Sequence, residues 1–196
     1  CFFLSAKTLN LPNAFSMLAV CEKGNLFSAP DTYMEKISIG QNLPKNLLDL
    51  DNSVEKNIKL LSEAKKKNID QLTACVLDRT RHDKIIKSLK NLNVKIKFIS
   101  DGDVSGAISV VDPKTNVDIY LGIGGGPEGV LAASALDTFK CSFQGRFLFE
   151  TRKDKERAKK MGINNLTKKY ELNEIVSGDS IFCATGITSG EMLSGI

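Results

Sequence analysis

From Ser53 to Thr138 the chain alternates two hydrophobic rhythms, and that alternation restricts it to a layered α/β architecture. Val54 opens a helical spacing carried by Ile58, Leu60 and Leu61, and Leu72 to Leu77 is then an apolar run of strand length. The same exchange recurs downstream: a helix over 83–92 (Ile85, Ile86, Leu89, Leu92), a strand over Val94 to Ile99, a helix over 104–110, a strand over Val117 to Leu121, and a helix over 127–138. Strands separated by helices need crossover connections, so the reading predicts a doubly wound, mostly parallel sheet. In such sheets ligands gather beyond the carboxyl ends of the strands, which makes each strand-to-helix loop a candidate site.

The flanks follow a different grammar. Phe15 to Cys21 and Asn25 to Phe27, joined by Glu22-Lys23-Gly24, read as a hairpin. Residues 41–52 are rich in Asn and Asp and include Pro44, so a linker and a domain boundary are expected there. A strand over Arg146 to Phe149, a charged helix over Lys153 to Lys160 and a last strand over Ser180 to Ala184 complete the order. This divides the chain into 1–41, 42–180 and a return strand and turn over 181–196.

Composition removes several functions. With 42% hydrophobic and 26% charged residues the chain can bury a core. Its net charge of +4 is interspersed, and the one compact basic run, Lys65-Lys66-Lys67, reads as a solvated helix end. There is no Trp and no alternation of basic and aromatic residues, so no nucleic-acid partner is expected. Five widely spaced cysteines read as buried reduced thiols, and the absence of Cys-x-x-Cys together with a single histidine, His82, argues against structural zinc. No apolar run reaches the roughly 18 residues that span a bilayer, so no membrane partner is expected and the location reads as cytoplasmic. Cys1 runs directly into Phe2-Phe3-Leu4 without an initiator Met, which reads as a fragment.

Four loops carry candidate chemistry. In Asp78-Arg79-Thr80-Arg81-His82-Asp83 two guanidiniums stand beside a helix start, a phosphate grip in one reading and solvated arginines with Asp83 as a cap in the other. His82 is either a general base or a structural histidine. Asp101-Gly102-Asp103-Val104 follows the next strand; its carboxylates could accept sugar hydroxyls or coordinate a divalent ion, or Asp103 could simply cap a helix. Gly122-Ile123-Gly124-Gly125-Gly126-Pro127-Glu128-Gly129 reads as a loop whose glycines admit a phosphate, with Glu128 projecting from the helix start. It has neither the Gly-x-Gly-x-x-Gly spacing of a dinucleotide site nor the Gly-Lys-Ser/Thr of a nucleotide loop. In Ala29-Pro30-Asp31-Thr32-Tyr33, Tyr33 could bond a sugar hydroxyl or a phosphate, or be a core tyrosine. The turn Ala184 to Gly190 takes no role from sequence.

These loops, in this order, resemble the class II (GlpX-type) fructose-1,6-bisphosphatases of the lithium-sensitive, metal-dependent sugar and inositol phosphatase fold. The resemblance runs from Leu11-Pro12-Asn13-Ala14 to Gly186-Ile187-Thr188. It is most specific at Ala29-Pro30-Asp31, Tyr33-Met34-Glu35-Lys36, Arg81-His82-Asp83, Asp101-Gly102-Asp103-Val104, and Gly122-Ile123-Gly124-Gly125 with Pro127-Glu128-Gly129-Val130. It implies a layered αβαβα sugar-phosphatase architecture, incomplete at both ends, in which 1–41 is a remnant of an N-terminal catalytic sheet and 42–180 binds the sugar phosphate. The implied reaction is hydrolysis of the 1-phosphate of fructose 1,6-bisphosphate, with Mn²⁺ or Mg²⁺ as cofactor, in a homo-oligomer. Tyr33, Arg79, Thr80, Arg81, Asp101, Asp103 and Gly125 take the places of substrate contacts, and Glu128 that of a metal ligand. Arg79-Thr80 replaces the family's usual Lys-Pro but keeps a cation. The family's Asp-Pro-Ile/Val-Glu-Gly-Thr motif should end near residues 1–4, where Cys1-Phe2-Phe3-Leu4 does not match it. Catalytic residues are therefore expected upstream of Cys1 and none within the chain, and residues 1–196 alone are expected to be inactive. The alternative is a catalytically inactive sugar-phosphate-binding paralogue, which would bind through Arg81 and Asp101 without turnover.

Overall fold

The computed structural model describes residues 2–5, 14–190 and 192–196; Cys1 and the stretch Leu11-Pro12-Asn13 lie outside the described residues. Strands β1 (Phe2–Ser5), β2 (Phe15–Cys21) and β9 (Ser180–Gly186) form an antiparallel sheet in the order β1-β2-β9. The larger sheet runs β5 (Lys95–Ile99), β4 (Thr73–Leu77), β6 (Ile119–Gly125), β3 (Tyr33–Ile39), β7 (Ser142–Leu148), β8 (Lys169–Glu171).

Helices α1 (Val54–Lys65) and α2 (Asp83–Asn91) cover one face of the larger sheet, where Ile58, Leu61 and Leu89 meet Ile37, Ile39, Val76, Ile119 and Leu121. On the other face lie α3 (Asp103–Ile108), α4 (Gly126–Thr138) and α6 (Leu172–Ile175), packed between the two sheets against Met34, Tyr120, Phe143 and Phe147 on one side and Phe15, Met17 and Phe182 on the other. The exposed α5 (Arg152–Lys160) starts at a capping box formed by Thr151 and Asp154. The described residues thus stack as helices, sheet, helices, sheet. Helix α4 is apolar around its whole circumference because it is buried on both sides, Val130, Leu131, Ala132, Ala133, Ala135 and Leu136 being inaccessible.

Three expectations are corrected. The larger sheet is mixed rather than mostly parallel: β4 pairs parallel with β5 and β6, but β3 pairs antiparallel with β6 and β7, and β7 antiparallel with β8. The cause is β3, which precedes the anticipated boundary at residue 41 yet lies at the centre of the larger sheet, not with the N-terminal strands. Second, Phe15 to Phe27 is not a hairpin; Leu26 bridges Val176 and Phe27 N–H donates to Ile175 O, while β2 takes β1 and β9 as neighbours. Third, the lysine run is not simply solvated. Lys66 adopts φ +51° at the end of α1, and Lys65 and Lys67 converge on the buried carboxylate of Asp118, at 2.5 and 2.7 Å. Burial would raise the Asp118 pKa, but the bonds from Lys65 and Lys67 and from Thr73 N–H outweigh it and hold the group below its ordinary value.

The segment 41–52 is irregular, as expected, but pinned: Arg146 bonds Glu35 and Asp51, and Lys169 bonds Asp49 and Asp51. Cys21, Cys75, Cys141 and Cys183 form no disulfide among the described residues. Only Cys75 and Cys141 are buried, whereas Cys183 is exposed on β9, so the expectation of buried thiols holds for two of these four. No helix among the described residues is long and apolar enough to cross a membrane.

Candidate functional site

The carboxyl ends of β4, β5 and β6 and the amino end of the antiparallel β3 lie at one end of the larger sheet, and there the predicted loops meet. The connection between β6 and α4 differs from its prediction. Residues 122–125 are not a loop but the last residues of β6, with Gly125 extended (φ −63°, ψ 144°) and α4 beginning at once with Gly126. Pro127 takes the first turn, where its missing N–H costs nothing, and Gly126 N–H is satisfied by Thr32 O at 2.7 Å. The glycines matter as absent side chains rather than for unusual φ. A Cβ on Gly124 would overlap the Asp103 carboxylate, and one on Gly125 would overlap that of Glu128.

Asp103 opens α3 behind Gly102, whose φ of +87° turns the chain from strand to helix, so Gly102 and not Asp103 is the cap. The carboxylate is held on both oxygens. Lys36 Nζ donates to Oδ2 and the Tyr120 hydroxyl donates to Oδ1, both in short contacts. Lys36 also donates to Gly125 O at 2.7 Å and is 1% exposed. Complete burial pushes the Tyr120 hydroxyl well above its ordinary pKa, and the neighbouring Asp103 charge pushes the same way, so Tyr120 stays a neutral donor.

Arg81, in the turn after β4, and Tyr33, at the start of β3, approach from either side of β6. Arg81 Nε donates to Ile123 O at 2.9 Å, and its guanidinium lies 5.2 Å from the Tyr33 ring centroid. Both are exposed, so the stacked pair faces solvent beside Gly125, the cross-strand partner of Tyr33. His82 resolves as structural: it is wholly buried, Ile123 N–H donates to Nε2 at 2.8 Å, and Nδ1 therefore carries the proton and donates to Leu77 O at 2.8 Å. Burial lowers its pKa, which keeps the ring neutral and ties the loop to β6.

The structure thus brings together Tyr33, Arg81, Asp103, Gly125 and Glu128. Arg79 turns back on its own loop, donating to Asp78 O at 2.9 Å, and Thr80 is exposed at the start of the turn. Asp101 is exposed at the end of β5 and accepts from Gly102 N–H at 3.0 Å. Sequence reasoning assigned no role to Lys36 or Tyr120. The signal available for Lys36 was a cation at an inward position, in step with Met34 and Ser38, on a strand that is otherwise core.

Among the described residues no three His, Cys, Asp or Glu side chains come together as a group able to hold a metal ion. The acidic groups near the cleft do not fit a complete metal centre: Asp103 is engaged by Lys36 and Tyr120, and Glu128 stands as a single carboxylate.

Residues 4–196 match the sequence model of the bacterial fructose-1,6-bisphosphatase family, glpX-encoded. Among curated proteins the chain is similar to the D-fructose 1,6-bisphosphatase class 2/sedoheptulose 1,7-bisphosphatase of Trichormus variabilis, with 37% identity over 94% of this chain and 57% of the relative. The proteins of the same name from Synechocystis and Thermosynechococcus vestitus are 36% and 37% identical, over 93% and 94% of this chain and 56% and 57% of their own lengths. The chain spans little more than half the length of these relatives.

Proposed function

This chain belongs to the glpX-encoded bacterial fructose-1,6-bisphosphatase family, and from that premise we propose that its protein hydrolyses the 1-phosphate of fructose 1,6-bisphosphate, the chain supplying the sugar-phosphate contacts. The observation that carries the reading is the convergence of Arg81, Tyr33, Asp103 and Glu128 at one end of the sheet, where the amino end of α4 also points. Arg81 offers a fixed guanidinium to a phosphate, and the dipole of α4 favours the same charge. Tyr33, Thr80 and the Asp101 and Asp103 carboxylates provide hydroxyl donors and acceptors for sugar oxygens, Arg79 adds a second cation, and Gly125 lets the ligand approach the backbone.

A divalent ion, Mn²⁺ or Mg²⁺, would supply the charge neutralisation such hydrolysis needs. Glu128 is proposed as one of its ligands, and the others would have to come from beyond the described residues, so the steps assigned to this chain are binding and orientation. A homo-oligomer in the cytoplasm fits the same reading, as does sedoheptulose 1,7-bisphosphate as a second substrate, since the relatives carry that name.

Phosphate release from fructose 1,6-bisphosphate by the full-length gene product, with Mn²⁺ and then with chelator, tests the proposal. Release that chelator abolishes is expected. Retained sugar-phosphate binding without release would replace it with the inactive binding paralogue.

A further inference from the structure

A lysine side chain with no exposed surface is unusual at the centre of a sheet, because desolvating its charge is costly unless a partner and hydrogen bonds offset it. Lys36 has both, in the Asp103 carboxylate and the Gly125 carbonyl. Its neighbours on the same face of β3, Met34 and Ser38, are uncharged, and its stem packs over Gly129, where a Cβ would fall 3.0 Å from Lys36 Cε. A Met at this position would fill the same volume without a charge. What the ammonium adds is a bond to two groups of the candidate site on different elements: Asp103 at the start of α3 and Gly125 at the end of β6.

There is a second consequence. The ligand proposed above carries two phosphate esters, each close to dianionic near neutral pH, and Asp103 lies beside their path. A lone carboxylate there would repel it, whereas one neutralised at contact distance does not. Tyr120 cannot do this, because its hydroxyl remains neutral. The charge balance of the cleft floor therefore depends on Lys36.

We infer that Lys36 is a positioning residue of the sugar-phosphate site, acting through Asp103: it fixes the carboxylate against β6 and cancels its charge toward an incoming phosphate. The inference rests on the sugar-bisphosphate reading of this cleft. It assigns Lys36 no contact with the ligand, so its effect disappears once Asp103 has lost its charge.

The test is a double-mutant cycle in the full-length protein: wild type, Lys36→Met, Asp103→Asn and the double variant, each with Kd for fructose 1,6-bisphosphate by titration calorimetry and Tm by scanning calorimetry. Lys36→Met is expected to weaken binding about tenfold, through the repulsion of an uncompensated Asp103 carboxylate, and the double variant is expected to bind no more weakly than Asp103→Asn alone. Lys36→Met binding within about twofold of wild type, or two losses that simply add, would overturn the inference, as would a lowered Tm with unchanged Kd. Where Lys36→Met fails to fold, the double variant decides against Asp103→Asn alone, since it carries no unpaired buried charge. Phosphate release is measured alongside. Wild type that binds without release removes the hydrolase reading and leaves the cycle decisive, whereas wild type that does not bind overturns both.

Discussion

The Arg81 guanidinium is held between the Tyr33 ring, 5.2 Å from its centroid, and the Ile123 carbonyl, 2.9 Å from Nε. Three parts of the chain far apart in sequence thereby set one exposed cation at the mouth of the cleft. A lysine could keep the charge but not the planar fork that bonds the carbonyl and stacks on the ring. Arg81→Lys is therefore expected to raise the Kd for fructose 1,6-bisphosphate several-fold and Arg81→Ala by more than about tenfold, a charge-assisted contact being worth about 1.5 to 3 kcal/mol. The Tm should barely move, since Arg81 is exposed. Equal affinity in wild type and Arg81→Ala, by calorimetric titration, would remove Arg81 from the site.

His82 ties the same loop to β6 through two buried bonds and is kept neutral by burial. Its folded-state pKa lies below the ordinary 6.5 or so, so the unfolded chain binds the extra proton more readily. The stability this histidine contributes is present above about pH 6.5 and is lost as the pH falls toward the folded-state pKa. Stability of the wild type should drop on acidification through this range, and the drop should be smaller in His82→Gln, read from urea unfolding at a series of pH values.

Substitutions at the two adjacent glycines should differ in their balance of stability and function. A methyl on Gly124 meets a carboxylate pinned by Lys36 and Tyr120, whereas one on Gly125 meets the end of the longer Glu128 side chain. Gly124→Ala is expected to destabilise by about 1 to 3 kcal/mol, the usual cost of overpacking, and to weaken sugar-phosphate binding. Gly125→Ala should cost less stability but displace Glu128 and crowd the ligand's approach to the backbone, so its effect should appear in sugar-phosphate binding and in metal-dependent turnover. Denaturant midpoints and kinetics of the two variants check the contrast.

Asp118 is the buried acceptor for Lys65, Lys67 and the Thr73 amide. Asp118→Ala leaves that amide without its partner while the lysines, each about a third exposed, turn to water. A loss of about 1 to 3 kcal/mol is expected, with sugar-phosphate affinity unchanged. Because the folded-state pKa of Asp118 is lowered, its stabilisation is present above about pH 4 and is lost as acid protonates it below that.

Much of this was legible in advance where the signal was local. Helices α1, α2, α4 and α5 and strands β2, β4 and β5 fall within a residue or two of their predicted segments, because the pattern that marks each one is written in consecutive residues. What escaped depended on partners distant in sequence. Nothing in Tyr33 to Ile39 says that its neighbours are Ile119–Gly125 and Ser142–Leu148, and inserting that one antiparallel strand changed the whole sheet. The run 122–126 read as a loop because consecutive glycines have no intrinsic preference for a strand; the carboxylates that require them come from Asp103 and Glu128. Tyr33, Arg81, Asp103, Gly125 and Glu128 were all singled out from sequence, although Tyr33 and Gly125 lie in strands rather than loops, and their convergence follows from strand order. Lys36 and Tyr120 were missed since a buried polar pair is visible only when both partners are placed.

This end of the sheet is proposed to receive a sugar bisphosphate. A crystal structure of the full-length protein with fructose 1,6-bisphosphate tests it most directly. The expected result is a phosphate within hydrogen-bonding distance of the Arg81 guanidinium and sugar hydroxyls against Tyr33 and the Asp101 and Asp103 carboxylates. Ligand bound elsewhere, with Arg81 still stacked on Tyr33 and facing only water, would contradict it.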